Sequence, residues 1–182
     1  AMMLVASGLA RRVSKEQSIY EIPESFVWLG RGADWFGLPN GVVLMLVLYG
    51  LAHVLMSRMR LGRYLYAVGG NREAARLSGV PVTRVVMFAY IASAVLAGLG
   101  GVVMASQLKS GSANYGDTYE LYVITAVVVG GAALGGGEGK MFGTLTGALT
   151  IAVMQNGMNL TNIHDDTQDI VLGFVLLGAV LI

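Results

Sequence analysis

Gly135 to Lys140 read GGGEGK, a glycine-rich run ending on a lysine, whose backbone N–H groups could in principle cradle a phosphate. The phosphate-loop pattern needs a glycine five residues before Gly139-Lys140 and Ser or Thr after it, and Leu134 and Met141 stand there instead. No dinucleotide fingerprint fits elsewhere. His53 is the one side chain titrating near neutral pH in the uncharged run Gly41 to Ser57, where it would suit a proton relay inside a membrane. It lies five residues before Arg58, so an interfacial histidine is the favoured reading. The sequence has no cysteine, which excludes disulfides, thiolate metal sites and cysteine nucleophiles. The remaining polar side chains offer no set of nucleophile, base and orienting group at a recognisable spacing. These residues argue for no catalytic site, no metal site and no enzyme.

The most informative polar stretch is Arg58 to Arg84, RMRLGRYLYAVGGNREAARLSGVPVTR. Its middle predicts a short helix over 71–79. Asn71 can cap the N-terminus, Glu73 sits in the first turn, and Arg76 near the other end complements the helix dipole. Gly79 stops the helix and Pro81 prevents its resumption. A chain that only had to turn around needs fewer residues, so the surplus suggests a docking surface.

The elements around this stretch belong in a membrane. Hydrophobic residues make up 55% of the chain and charged ones 13%, with a mean hydropathy of +0.66, and the 26 glycines suit close helix approach in lipid. A net charge of +1 gives no case for nucleic acid. The fold expected is all-α, a polytopic transmembrane helical bundle forming one domain over 1–182. Its spans fall near 1–10, 40–57, 85–107, 119–134, 141–160 and 169–182. The sequence opens inside an apolar run without a charged leader and ends on an apolar run too short to cross a bilayer, so both ends are expected to be cut.

Between these spans, Phe26, Val27, Trp28, Trp35 and Phe36 surround Gly30 and Gly32 in a connection of zero net charge, which favours an interfacial anchor over a ligand site. Ala94, Ala97, Gly98 and Gly101 offer a packing face on the third span. Gly131, Gly135, Gly139, Gly143 and Gly147 recur every four residues and predict one helix-packing stripe wherever the backbone is helical. The same glycines weaken helix, so a broken pair is expected around 135–140, either reaching the cytoplasm or staying at membrane depth as a re-entrant turn. Gln155, Asn156 and Asn159 fit either a translocation path or interhelical hydrogen bonds. Residues 58–84 carry six arginines against one glutamate, whereas 159–169 carry three aspartates and no Lys or Arg. Positive-inside reasoning puts the first in the cytoplasm and the second outside.

At LGRYLYAVGGNREAARLSGV, and again at TYELYVITAVVVGGAALGGGEGKMFGTLTGAL followed by NGMNL, the sequence resembles the membrane permeases of bacterial ABC sugar importers, the ribose, xylose, arabinose and galactoside group. The resemblance runs from about residue 40 to the end and implies the C-terminal part of such a permease. It implies that Asn71, Arg72, Glu73, Ala74, Ala75, Arg76, Leu77, Ser78 and Gly79 form a cytoplasmic coupling helix on an ATP-binding subunit, with Ala74 and Ala75 in close contact and Arg72, Glu73 and Arg76 at the rim. Further implied partners are an external solute-binding protein and a second permease subunit in the bacterial inner membrane. No cofactor is implied for this chain, ATP being bound by the partner. Branched-chain amino acid permeases of similar architecture, and a channel or ion-coupled transporter working without an ATPase, remain the alternatives.

Overall fold

The structure, a computed structural model, describes residues 2–15, 17–20, 23–32, 37–113, 115–116 and 118–181. Among them the regular structure is helical: α1 (Met2–Ser14), α2 (Glu24–Arg31), α3 (Asn40–Arg58), α4 (Arg60–Gly70), α5 (Arg72–Leu77), α6 (Val82–Leu108), α7 (Tyr119–Val129), α8 (Met141–Leu160) and α9 (Asp165–Leu181). An antiparallel bridge joins Ile19 and Gly111. The all-α class expected from composition is what the chain forms. Two of the described helices, α3 and α6, are long and apolar enough to cross a membrane.

The chain divides into two compact units, residues 1–48 with 90–117, and 49–89 with 118–182. In the first, α2 is tied to the end of α6 through Ser106, which is fully buried. Its hydroxyl accepts the Gly30 N–H at 2.7 Å and donates to the Phe26 carbonyl at 2.7 Å. Gly30 has to be glycine, since a Cβ there would stand 2.7 Å from the Gln107 nitrogen. Arg31 Nε donates to the Gln107 carbonyl at 2.8 Å, and Asn40 Nδ2 to the Trp28 carbonyl at 3.1 Å. Thus Phe26, Val27 and Trp28 belong to a short helix held by polar contacts, with Trp28 left 55% exposed. Trp35 and Phe36 lie outside the described residues.

The second unit has its core where α7, α8 and α9 meet: Ala126, Ile151 and Leu172 are buried together, with Tyr122, Val129, Ala148, Met154 and Val175 packed around them. Between helices in lipid such a cluster stabilises through close van der Waals packing rather than through removal from water. α7 ends at Val129, five residues short of the expected limit of 134. The physical reason is a glycine stop. Gly131 takes φ +81, its N–H bonds to the Val128 carbonyl at 2.8 Å, and the Ala132 N–H reaches back to the Val127 carbonyl at 3.1 Å. At 11 residues α7 is about 16 Å long, about half the hydrocarbon thickness. α8 closes by the same device with Asn162 at φ +53.

Candidate functional site

The helix expected over 71–79 forms over Arg72–Leu77, with the other three residues as its caps. Asn71 Oδ1 accepts the Ala74 N–H at 3.0 Å, the N-cap bond anticipated from the sequence. At the other end Gly79 takes φ +80, its N–H bonds to the Arg76 carbonyl at 3.0 Å, and the Val80 N–H reaches the Ala75 carbonyl at 3.0 Å. These bonds satisfy carbonyls that a six-residue helix would otherwise leave bare. Arg76 Nε stands 3.8 Å from Glu73 Oε2 on the exposed face, a pairing worth about 0.3–0.5 kcal/mol that leaves both charges open to water.

One expected role is corrected. Ala75 is 5% exposed and faces back into the chain, so it is closed to a partner's groove, whereas Ala74 is open. The apolar side chain turned outward is Leu77, 83% exposed, a member of the expected coupling helix that was given no contact of its own there. Its signal was available: Leu77 lies two positions after Ala75, about 200° round the helix. An open groove beside α5 is lined by Arg72, Glu73, Arg76, Val82, Thr83, Val86 and Met87.

α4 joins α5 without a linker. Asn71 caps both, donating its N–H to the Ala67 carbonyl at 3.1 Å while its side chain serves α5. The C-terminal glycines of α4 seat against the 130–140 turn. A Cβ on Gly69 would stand 2.7 Å from the Gly137 nitrogen, one on Gly136 2.7 Å from the Gly69 carbonyl oxygen, and one on Gly137 2.6 Å from the Gly70 Cα. Tyr66, one turn earlier, donates its hydroxyl to the Gly139 carbonyl at 2.8 Å.

The single stripe of five glycines is therefore corrected as well. Gly131, Gly135 and Gly139 lie outside the helices; Gly131 and Gly139 take φ +81 and +153, conformations that L side chains rarely adopt, and nothing approaches Gly135. Only Gly143 and Gly147 lie on α8, where the missing side chains let α7 come close. A Cβ on Gly143 would meet the Gly130 carbonyl, and one on Gly147 the Ala126 carbonyl. Gly130, unmarked by the four-residue row, is the third member of this contact.

Gln155 is half-buried on α8, and Asn156 and Asn159 are exposed. Asn159 Oδ1 accepts a bond from Gln168 Nε2 at 2.8 Å, and Gln168, 4% exposed, also donates to the Ile163 carbonyl at 2.9 Å. One of the three amides is thus an interhelical tie. His53 packs its ring 5.0 Å from that of Phe142, tilted 59°. Among the described residues no group of three His, Asp or Glu side chains is placed to hold a metal ion.

A short capped helix, a glycine-built helix pair and long apolar helices define a helical membrane protein. The chain belongs to the family described as branched-chain amino acid transport system / permease component, whose profile matches residues 1–180. It is 40% identical over 184 residues to the L-arabinose transport system permease protein AraH of Escherichia coli (strain K12), an alignment covering 100% of this chain and 55% of the relative. It is also 40% identical to the ribose import permease protein RbsC of the same strain, over 89% of this chain and 50% of that protein. The ribose import permease RbsC of Bacillus subtilis (strain 168) matches at 40% over 86% of this chain and 48% of the relative. The chain spans about half the length of these curated relatives. No solved structure matches it.

Proposed function

We propose that the chain is the C-terminal part of a permease subunit of an ABC importer in the bacterial cytoplasmic membrane, a transport component rather than an enzyme. It would translocate a monosaccharide or related small polar solute handed over by an external binding protein. A separate ATPase subunit, which binds the ATP, drives the cycle from the α5 side, and a second permease subunit completes the path. The observation that carries the reading is the 40% identity to permeases named for L-arabinose and ribose. The family's own description mentions branched-chain amino acids, and the names of these relatives favour sugar over that alternative. The cap bonds of α5 support a docking role, because they give a six-residue helix a fixed shape before any partner arrives.

In this reading 58–84 faces the cytoplasm, 159–169 faces outward, and the crossings lie near 1–10, 40–57, 85–107, 119–134, 141–160 and 169–182, the non-helical 130–134 completing the crossing that α7 begins. Gln155 and Asn156 remain candidate pathway amides. The test uses the complete permease reconstituted with its ATPase and binding protein, with radiolabelled L-arabinose and D-ribose as probes and L-leucine as the competing class. ATP-dependent uptake of a pentose and retention of the ATPase on tagged permease are expected. Uptake of leucine alone would turn the reading to amino acids, and uptake without a retained ATPase would turn it to a channel or ion-coupled carrier.

A further inference from the structure

The four glycines of the α4 seat and the Tyr66 bond fasten α4 to the 130–140 turn. We infer that α4 is a rigid lever that carries displacement of α5 to the first turn of α8, with Tyr66 as its positioning residue. The inference rests on the reading of α5 as the docking helix. Its argument is mechanical. Asn71 caps both helices, so no flexible residue separates α5 from α4. Gly69 and Gly70 touch Gly136 and Gly137 backbone to backbone, and a contact without side chains has no rotamers through which a push could be lost. Packed interfaces of this kind shift between discrete arrangements rather than deform continuously.

Tyr66 fixes where the push arrives. Its hydroxyl holds the Gly139 carbonyl, one residue before Lys140, whose own carbonyl accepts the Thr144 N–H at 3.0 Å and opens α8. From there Gly143 and Gly147 carry α8 against α7 with no side chain between them. The route from α5 to the α7 and α8 pair therefore runs through the 130–140 turn. This gives that turn a purpose beyond reversing the chain. Contiguity by itself does not demonstrate coupling, so the test must read transmission.

This chain contains no cysteine, and the complete permease is freed of any it carries elsewhere and given a nitroxide label at Lys140→Cys. Its spectrum is recorded with and without the ATPase subunit and a non-hydrolysable ATP analogue. The label in the otherwise unchanged protein should respond to the nucleotide-loaded ATPase. Tyr66→Phe, which loses only the hydroxyl, should cut that response at least twofold while the ATPase stays bound to tagged permease as before. Gly69→Ala, which wedges a methyl against Gly137, should do the same. An aniline side chain at position 66, which restores an N–H donor, should recover the response, and a merely structural role for Tyr66 would not be rescued in that way. A full response in both Tyr66→Phe and Gly69→Ala would overturn the lever. Failure of the ATPase to bind the unsubstituted permease would instead overturn the docking reading beneath it.

Discussion

Ala75 and Leu77 lie two residues apart on α5 and face opposite ways, 5% and 83% exposed. The first anchors the helix to its own chain, and the second leaves an apolar side chain in water at the tip of a rigid element. An isolated exposed leucine is ordinary. On a helix capped at both ends, beside Arg72 and Arg76, it has the composition of an interface centre within a charged rim.

The two residues should respond differently to substitution. Leu77→Glu is expected to weaken ATPase retention at least tenfold, since burying a leucine contributes about 1.5–3 kcal/mol, while detergent stability stays unchanged. Ala75→Trp should overpack the chain's own interior and lower stability by about 1–3 kcal/mol. Retention on tagged permease and melting in detergent read the two effects separately. Equal retention in Leu77→Glu would remove Leu77 from the contact.

A second pair separates glycines that look alike. Gly147→Ala puts a methyl into the Ala126 carbonyl and should push α8 off α7, whereas Gly135→Ala meets open space at an unstrained φ. Assembly yield and melting temperature should fall for the first and hold for the second. Gly136, off the four-residue row, takes φ +85 with Gly69 against it, so Gly136→Ala should be as damaging as Gly147→Ala. A tolerated Gly136→Ala would show that the α4 seat is looser than the close approach implies.

The glycines also mark where sequence reasoning stopped. A period of four says that small residues recur, but it does not distinguish a residue that is small because a helix approaches, as at Gly147, from one that needs positive φ, as at Gly131. The caps of α5 were legible because Asn71, Gly79 and Pro81 act on backbone groups within a few residues. α4 was not read as a helix at all, although Leu61, Leu65 and Val68 repeat at helical spacing, because its closing Gly69-Gly70 resembles a loop. The Ser106 tie joins residues 76 and 80 positions apart, which no local pattern reveals.

That tie yields a third expectation. Ser106→Ala leaves the Gly30 N–H without its acceptor in a fully buried place and removes the donor to Phe26, a loss of about 1–3 kcal/mol. α2 should loosen from α6 while the second unit keeps its stability. With Trp35→Phe as background, Trp28 fluorescence should become more readily quenched by iodide. Unchanged quenching would mean that Arg31 and Asn40 hold α2 without the serine.

The last prediction concerns orientation. Six arginines fall in 58–84 and three aspartates with no Lys or Arg in 159–169, and positive charge near membrane helices is retained on the cytoplasmic side. Ser78 and Thr167 are both exposed, just past the end of α5 and in the first turn of α9. Single cysteines placed there in the complete permease, freed of other cysteines, should react with an impermeant maleimide from opposite faces. In intact spheroplasts Thr167→Cys should label and Ser78→Cys should not; in inverted vesicles the pattern should reverse. Neither substitution disturbs a buried bond. The Ser78 hydroxyl donates only to the exposed Ala74 carbonyl at 2.9 Å, and Gly79 still supplies the helix stop. Labelling of Ser78→Cys in spheroplasts would put α5 outside, where no ATP-binding subunit could reach it, and the proposed docking role would fall with the orientation.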